Sequence, residues 1–501
     1  MERYIGNVAK VSTAKDGMTL VLADNMAYKP FGPLAAMTLG AGRGISTEFD
    51  LNYRHLSRTV PGILERSLSY DPAGRIISIA DQLDSTRNQN FGYDKAGRLT
   101  SATGPYGTLG FTYDRTGNRL TRTLDDAALT YTYTQGTNRL AQISGTGSQT
   151  DLVYDGAGKP LSKGDMNFAY TQAGRLATVS GSGNEIAAYL YNSLGQRTRK
   201  TVDGKTTLFH YDLFGNLIGE SSPDGTFSMT YVYTDSTRLA ALAMESTTQP
   251  DVAYYINDHL GTPIKMIDND GRVVWDGASL PFGRVNESLG EVQSHFRFPG
   301  QYYDQETGLH YNHNRFYDPM TGSYISADPI GLAGGINPFT YAKNNPPSFI
   351  DPFGLFVLGI NTGGSGFYWG GVGKSSALLF ESDGKTNKFG LVTTSDKGIG
   401  KGYGLFNHIV YSDQGTIKGY ANTSFSNSGS YGYGSYSWSF GQDDAIYYEG
   451  GISPIPGASG NLTSTQGKVI FSFEYSFGAA DHFWGDLLYD LLHPEKSNEC
   501  D

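Results

Sequence analysis

Three aspartates, each followed by proline, stand in one segment of the chain at Asp318, Asp328 and Asp351. Two carboxyl groups held close together can share a single proton, because their like charges push the two pKa values apart. Such a pair can hydrolyse a peptide bond if one group activates water and the other donates a proton. Asp-Pro also opens ordinary turns, as the phrase YDPMTG around Asp318 illustrates. The dipeptides alone leave acid–base chemistry and simple turn formation open.

Other chemistries find little support in the residue types. The sole cysteine of the 501 residues is Cys500, which excludes an internal disulfide and a cysteine-rich zinc site. His310 and His313 are close in sequence, but no third metal ligand accompanies them. The net charge is −11 and no basic stretch is evident, so nucleic acid is not an expected partner. We predict neither a metal ion nor another cofactor.

The elements that would position these carboxylates are expected to be strands and turns. Charged residues make up 17% of the chain, compared with about 25% in ordinary domains. Gly accounts for 66 of the 501 residues, nearly twice its usual share of about 7%, and Tyr is also abundant at 35 residues. The N-terminal stretch MERYIGNVAK lacks the apolar core of a signal peptide, and no apolar run reaches the length of a membrane-spanning helix. Export, if it occurs, is expected to be independent of a signal peptide.

A phrase built around tyrosine recurs about every 20 residues in the first half of the chain. It reads SYDPAGRI from residue 69, GYDKAGRLT from 92 and HYDLFGNLIG from 210. Tyr ends one strand, Asp accepts backbone hydrogen bonds in the turn, and Gly supplies a positive φ angle. Each copy therefore predicts one β-hairpin, and stacked hairpins form a continuous sheet. The tyrosines of this phrase are Tyr70, Tyr93, Tyr113, Tyr133, Tyr154, Tyr170, Tyr191, Tyr211 and Tyr233.

These phrases resemble the YD repeats of Rhs proteins, of the C component of Tc toxins and of teneurins. The resemblance covers roughly residues 30–255 and implies a sheet that coils into a hollow shell. The expected fold class is mainly β, with a YD-repeat hairpin sheet spiralling into a partial shell over residues 1–253. A small β-rich C-terminal domain with one terminal helix is expected to follow. Family shells usually contain more repeats. This chain is therefore expected to form either a partial shell or a shell that a second chain completes.

Residues 254–355 resemble the Rhs core-associated segment, through the phrases DHLGTP, FPGQYYDQETGLHYNHNRFYDPMTG, DPIGLAGG and DPFGL. In that family the segment plugs the shell and cleaves its own chain. The cleavage motif P-x-x-x-x-D-P-x-G-L matches Pro346 through Leu355, which implies cleavage between Leu355 and Phe356. The family's aspartyl-type chemistry implies that Asp328 and Asp351 form the carboxylate pair. Arg315 matches an arginine that supports this pair.

Residues 356–501 differ in composition from the rest of the chain, since they contain no arginine and are rich in Gly, Ser, Tyr and Phe. The alternation in KVIFSFEYSFG, from residue 468, predicts a half-buried strand. The apolar spacing in AADHFWGDLLYDLLHP predicts a helix over 479–494. No catalytic motif is recognisable in this segment. A membrane-inserting β-structure and a small soluble antiparallel domain are both consistent with its aromatic alternation.

The resemblance implies a polymorphic toxin fragment, in which the shell encloses a C-terminal effector and the plug releases it by one internal hydrolysis. Such a protein is expected to be secreted or held in the bacterial cytoplasm before export. An immunity protein and a secretion apparatus are its expected partners. The alternative is a cell-surface adhesion module that binds carbohydrate or protein without proteolysis. The sequence does not identify the activity of the C-terminal segment.

Overall fold

The computed structural model describes residues 2–359 except for 5–6, 16–17, 31–32, 235–236, 244–250 and 356. Beyond residue 359 it describes eight separate strand segments between 366 and 475. The chain divides into two compact units. The first comprises Met1–Leu379 and Leu391–Asn407, and the second comprises Phe380–Gly390 and His408–Asp501.

A single antiparallel sheet of 28 strands accounts for most of the described residues in the first unit. Every strand pairs with the next one along the chain, so the sheet is a continuous series of hairpins. Strands β1 to β28 are, in order, Glu2–Tyr4, Asn7–Lys15, Met18–Tyr28, Leu34–Leu39, Gly44–Phe49, His55–Val60, Leu64–Tyr70, Ile76–Asp81, Gln89–Tyr93, Leu99–Gly104, Gly107–Tyr113, Arg119–Leu124, Ala127–Tyr133, Leu140–Gly145, Ser148–Tyr154, Pro160–Lys163, Met166–Tyr170, Leu176–Gly181, Asn184–Tyr191, Arg197–Val202, Lys205–Tyr211, Leu217–Ser221, Phe227–Thr234, Thr237–Ala243, Asp251–Asn257, Pro263–Ile267, Val273–Ser279 and Val285–Gly290.

The turn after Tyr70 illustrates why the repeated phrase folds as a hairpin. The Asp71 side-chain oxygen Oδ1 accepts hydrogen bonds from the backbone amides of Ala73 and Arg75, each at 2.9 Å. Gly74 has a φ angle of 79°, in the left-handed region that Gly adopts without a steric penalty. Its amide donates to the Asp71 carbonyl oxygen, which closes the reversal. The predicted roles of Asp and Gly are confirmed at this turn.

The repeated tyrosines connect each hairpin to the one before it. The Tyr93 hydroxyl, for example, donates to the Ile76 carbonyl oxygen at 2.7 Å. Arg75 binds Asp71 within its own turn, and its guanidinium lies 5.0 Å from the centre of the Tyr93 ring. These contacts cross only one hairpin boundary, as expected of a repeat architecture. The same hydroxyl-to-backbone bond is made by Tyr70, Tyr93, Tyr113, Tyr133, Tyr170, Tyr191, Tyr211 and Tyr233.

A small four-stranded antiparallel sheet packs on the long sheet through aromatic side chains. Phe316 lies 5.4 Å from Tyr189, and Tyr302 lies 5.3 Å from Phe209, measured between ring centres. The four strands, β29 to β32, are Tyr302–Asp304, Leu309–Asn312, Arg315–Asp318 and Ser323–Tyr324. The 3₁₀ helices of the described residues are Ser85–Arg87, Gly331–Gly334 and Ala342–Asn344.

Two short strands flank the C-terminal half of the predicted cleavage motif. Strands β33 (Phe349–Ile350) and β34 (Leu358–Gly359) pair in antiparallel fashion. Asp351 through Leu355, the last five residues of the motif, therefore lie between two paired strands.

The described residues beyond 359 are all strands, in keeping with the predicted β-rich character. Lys468–Tyr475 is a strand, which confirms the prediction from the alternation in that stretch. The predicted helix over 479–494 lies outside the described residues. No helix within the described part of the chain is long and apolar enough to cross a membrane. Strands β35 to β42 are Gly366–Gly371, Lys374–Ser382, Asn387–Ser395, Ser426–Tyr431, Gly434–Phe440, Ile446–Glu449, Ala458–Thr465 and Lys468–Tyr475.

The expected fold class is therefore confirmed at the level of a mainly β protein built from a long sheet of hairpins. This sheet runs on to Gly290. Strands β25 to β28, which lie mostly in the predicted plug from residue 254 onwards, therefore belong to the same sheet as the repeat strands. The predicted domain limits remain a prediction.

Candidate functional site

Arg315 brings the two predicted carboxylates together. It begins strand β31, and its side chain is 2% exposed. Its Nη2 atom lies 2.9 Å from Asp328 Oδ2 and 3.2 Å from Asp351 Oδ2. Because both oxygens contact the same nitrogen, they are no more than about 6 Å apart, the sum of the two distances. The three residues predicted from the sequence therefore form one cluster.

Backbone groups and an aromatic ring hold the guanidinium in place. Its Nε donates to the Gly354 carbonyl oxygen at 2.6 Å, and its Nη1 donates to the Pro338 carbonyl oxygen at 2.8 Å. The guanidinium carbon lies 3.6 Å from the centre of the Tyr324 ring, a cation–π contact. The bond to Gly354 ties the arginine directly to the cleavage motif. Arg315 is thus fixed between the carboxylates and the segment that they would cut.

Asp351 is 1% exposed and accepts hydrogen bonds on both of its carboxylate oxygens. Oδ2 accepts from the Tyr324 hydroxyl at 2.7 Å and from Arg315. Oδ1 accepts from the Leu355 amide at 3.0 Å. A carboxylate that accepts several hydrogen bonds, one of them from a cation, is stabilised in its charged form. The geometry therefore suits Asp351 to the role of an ionised base.

Asp328 is also buried but has fewer donors. Its Oδ1 accepts from the Ile330 amide at 3.0 Å, and its Oδ2 contacts Arg315. Burial raises the pKa of its carboxyl group to about 6. Arg315 and the Ile330 amide lower this pKa, but their effect is smaller than that of burial. The charge of Asp351 also raises the pKa. Asp328 is therefore suited to carry a proton that it can donate near neutral pH.

Gly334 reveals how close Asp328 comes to the predicted scissile bond. A Cβ atom at position 334 would overlap the Asp328 carboxyl group and would lie 3.2 Å from the Leu355 carbonyl oxygen. This same Cβ would lie 2.9 Å from the Asp328 carboxyl carbon, so that carbon and the Leu355 carbonyl oxygen are within about 6 Å of each other. Asp351 approaches the same residue through its bond to the Leu355 amide. Phe356, on the other side of the predicted cut, lies outside the described residues.

The third Asp-Pro pair is used differently. Asp318 Oδ2 forms an ion pair with Lys163 at 2.6 Å, and Oδ1 accepts the Met320 amide at 2.9 Å within a turn. Lys163 ends strand β16 of the long sheet, so this pair fastens the small sheet to the long one. The turn that the sequence left open as one alternative accounts for the bond from the Met320 amide, and the ion pair with Lys163 is a packing contact.

His310 and His313 have different surroundings, since the His310 ring contacts Gln301 and the His313 ring packs against Phe353. The His310 Nδ1 atom lies 2.7 Å from Gln301 Oε1, and burial lowers the pKa of the ring well below its usual value. Burial also lowers the pKa of His313, to about 4. Within the described residues, no group of three or more His, Cys, Asp or Glu side chains is arranged to hold a metal ion.

Sequence reasoning missed Tyr324, Asn312 and Gly334. Tyr324 is one of 35 tyrosines, and its phrase carries no distinguishing neighbour. Asn312 lies between His310 and His313, and nothing in its spacing distinguishes it. Gly334 lies in the quoted phrase DPIGLAGG, but only the fold reveals which of its glycines faces the carboxyl group.

A match to a protein family establishes the relationship of this chain. The family described as the teneurin YD-shell matches residues 50–346, which is more than half of the chain. The chain belongs to the YD-shell family. The hairpins joined by repeated tyrosines are the repeats of this YD-shell protein, and the match extends to Arg315 and Asp328.

Several bacterial toxins are similar in sequence. The chain is 40% identical over 119 residues to toxin protein Tse5 of Pseudomonas aeruginosa, covering 24% of the chain and 9% of Tse5. It is 31% identical over 350 residues to double-stranded DNA deaminase toxin A of Burkholderia cenocepacia, covering 59% of the chain and 22% of that toxin. The chain thus spans less than a quarter of these relatives. It is a YD-repeat protein related to the polymorphic toxins of interbacterial competition.

A solved structure has the same fold. The crystal structure of TcdB2-TccC3 superposes with a TM-score of 0.59 at 19% identity, covering 70% of this chain and 20% of that one. At this identity the likeness concerns the fold alone. It supports the assignment of the long hairpin sheet to the YD-shell architecture.

Proposed function

We propose that this YD-shell protein cleaves its own chain between Leu355 and Phe356, using Asp328 and Asp351 as an aspartyl-type pair. The observation that carries the proposal is that Arg315 contacts both carboxylates and also binds the Gly354 carbonyl beside the predicted cut. Both partners of the reaction belong to one chain, so the fold supplies their proximity without a binding step.

The contacts suggest how the two acids divide the work. Ionised Asp351 takes a proton from a water molecule, whose oxygen bonds to the Leu355 carbonyl carbon. Protonated Asp328, within about 6 Å of the carbonyl oxygen, donates its proton as charge develops there. The C–N bond then breaks as the nitrogen of Phe356 accepts the proton that Asp351 took from water, and the hydroxyl formed from the carbonyl oxygen returns its proton to Asp328. The products are a carboxylic acid at Leu355, which ionises in solvent, and an amine at Phe356, and one such event completes the reaction.

The long sheet is proposed to form the wall of a shell that encloses the segment after the cut. Membership of the YD-shell family supports this role, as does the fold likeness to a Tc toxin component. In this proposal residues 1–253 form the shell, 254–355 the self-cleaving plug and 356–501 the released effector. A second chain would complete the shell if these repeats leave it open.

The proposed partners are inferred from the similarity to bacterial toxins. They are an immunity protein, which protects the producing cell, and a secretion apparatus. Before export the protein would be held in the bacterial cytoplasm. The target of residues 356–501 is left open between a membrane and a soluble component of the recipient cell.

Expression of the full chain tests the cleavage. We expect a gel to resolve two fragments, with mass spectrometry identifying Leu355 as the end of one and Phe356 as the start of the other. Asp328→Asn and Asp351→Asn should each leave the chain intact. Asp318→Asn is the matched control, because it neutralises the third Asp-Pro carboxylate without touching the cluster, and it should still be cleaved.

An intact wild-type chain would contradict the self-cleavage and would favour the adhesion alternative. Cleavage that persists in both Asp328→Asn and Asp351→Asn would show that a different chemistry cuts the chain.

A further inference from the structure

A buried hydrogen-bonded chain of three residues leads to one of the two carboxylates. The Asn312 side-chain amide nitrogen lies 2.8 Å from the Tyr324 hydroxyl, and that hydroxyl lies 2.7 Å from Asp351 Oδ2. The same Asn312 nitrogen lies 2.7 Å from the Asp351 carbonyl oxygen. All three residues are at most 1% exposed. Their contacts are therefore sheltered from exchange with solvent.

The acceptor at Asp351 determines the direction of every bond in this chain. A backbone carbonyl oxygen only accepts, so the Asn312 atom beside it must be the amide nitrogen, which only donates. The second hydrogen of that amide is then available for the Tyr324 oxygen. Since Tyr324 accepts from Asn312, its own hydrogen points to Asp351 Oδ2. Asn312 thus makes the Tyr324 hydroxyl a donor to the carboxylate.

This direction disfavours a proton on Asp351. Oδ2 already receives the Tyr324 hydroxyl and the Arg315 guanidinium, and Oδ1 receives the Leu355 amide. A proton added to Oδ2 would meet two donors. Asp328 receives neither the phenol nor the Leu355 amide, so the cluster is asymmetric.

We propose, on the basis of the proposed self-cleavage, that Tyr324 is a positioning residue whose hydroxyl, oriented by Asn312, keeps Asp351 ionised and so leaves the shared proton on Asp328. Tyr324 does not touch the reacting carbonyl in this scheme. It acts through Asp351, while its ring supports Arg315 by the cation–π contact.

The other charged and titratable groups around Asp351 are consistent with this assignment. Arg315, Asp328, Tyr324 and Tyr341 interact with it electrostatically. Burial raises the pKa of both tyrosines well above its usual value, so both are neutral phenols across the working range. The proton balance therefore lies between the two carboxylates.

The test is the pH profile of cleavage for Tyr324→Phe, which retains the ring under Arg315 and removes only the hydroxyl. The chain would be made by cell-free synthesis, unfolded in guanidinium chloride and refolded by dilution between about pH 4.5 and pH 8.5, with cleavage followed on gels. We expect cleavage to slow about tenfold, since a hydrogen bond to a charged group is lost. The acidic limit of the profile should also move up by about one pH unit, because a proton competes better for Asp351.

Tyr317→Phe is the matched control. It removes another buried phenol of the same aromatic cluster, whose hydroxyl donates to the Phe282 carbonyl oxygen at 2.7 Å and touches neither carboxylate. Its pH limits should equal those of the wild type, even if packing changes slow the reaction. A merely structural role for Tyr324 predicts the same unchanged limits.

Asn312→Leu provides a second variant that also covers the case in which Tyr324→Phe fails to refold. It frees the Tyr324 hydroxyl to turn away and should move the acidic limit in the same direction by a smaller amount. If the acidic limit of cleavage in Tyr324→Phe equals that of the wild type, the positioning role is overturned. If only Asn312→Leu refolds, the same result in that variant overturns it. Cleavage in both Asp328→Asn and Asp351→Asn instead overturns the proposed function itself, so the two failures are distinguishable.

Discussion

Aspartate–arginine pairs occur both in the repeat turns and in residues 254–355, here called the core segment. The pKa of the carboxyl group shifts in opposite directions in these two regions. In the turn after Tyr93, Asp94 pairs with Arg98 at 2.7 Å, and the side chains are 24% and 21% exposed. Burial alone would raise the pKa of Asp94, but hydrogen bonds from the Arg98 backbone and guanidinium outweigh it and leave the pKa lowered. In the core segment, burial instead raises the pKa of Asp328 although Arg315 lies only 2.9 Å away.

The difference lies in the number of donors and in access to water. Asp94 Oδ1 accepts two turn amides, from Ala96 and Arg98, in addition to the ion pair. Asp328 accepts one amide and shares its arginine with Asp351. An arginine close by is therefore not sufficient to hold a buried carboxylate ionised. The repeats use Asp to stabilise a turn, whereas the core segment leaves one Asp able to exchange a proton.

The largest expected effect on stability comes from breaking a buried pair between the long sheet and the core segment. Arg197 bonds to Asp304 at 2.5 Å, and the two side chains are 1% and 0% exposed. Arg197→Met should lower the free energy of unfolding by about 3 kcal/mol or more, because Asp304 would keep only Lys200 as a cation. Guanidinium unfolding followed by tryptophan fluorescence, to which buried Trp275 contributes, measures this loss.

That comparison is made in an Asp351→Asn background, so that every chain stays intact. Arg98→Met is its control, since Arg98 forms a partly exposed pair in a turn and its loss should cost less than about 1 kcal/mol. Equal losses for Arg197→Met and Arg98→Met would contradict the distinction between the two regions.

An intermediate effect is expected at Asp328, as a pH dependence of stability. Its pKa is raised in the folded chain, so the folded state holds this proton more tightly and stability is lost as the pH rises from about 4 through about 6. In the Asp351→Asn background this loss should be up to about 2 kcal/mol, less than the full shift implies, because the charge of Asp351 contributes to the raised pKa. In a chain that also carries Asp328→Asn, this part of the pH dependence should be absent. An equal pH dependence in both chains would show that Asp328 does not exchange a proton in this range.

The smallest effect is expected in the repeat turns. Asp94→Asn keeps an oxygen that can accept the turn amides and loses only the partly exposed ion pair, so it should cost less than about 1 kcal/mol. Asn192 already occupies the equivalent position of another repeat, where its side-chain oxygen accepts the Gln196 amide at 2.9 Å. Because the pKa of Asp94 is lowered, any loss should be present at neutral pH and disappear as the pH falls below about 4. A loss of several kcal/mol would show that the turn depends on charge.

The repeats were predictable because their chemistry is local. Asp71, Gly74 and Arg75 interact within one turn, and the next tyrosine follows at a regular distance, so spacing alone predicts the hairpins. The convergence of Asp328, Asp351 and Arg315 was expected from the resemblance to a self-cleaving segment. Neither composition nor periodicity predicts it, since these residues meet through tertiary packing.

The residues around the carboxylates could not be inferred in the same way. Asn312 ends strand β30 and Tyr324 ends strand β32, on either side of β31, so their hydrogen-bonded chain exists only once the small sheet has formed. The role of Asp318 was likewise hidden, because its partner Lys163 is 155 residues away in the sequence. Long-range ion pairs of this kind leave no pattern in the local spacing.

The bond from each repeated tyrosine to the backbone of the preceding hairpin has a consequence for gene evolution. It recognises a main-chain oxygen, which every amino acid carries, so a copy of the unit fits behind almost any other copy. Unequal crossing-over between such copies can therefore lengthen or shorten the coding sequence by whole units without compensating changes elsewhere. Genes of this family are expected to differ in copy number more readily than in the residues of the segment that follows the repeats.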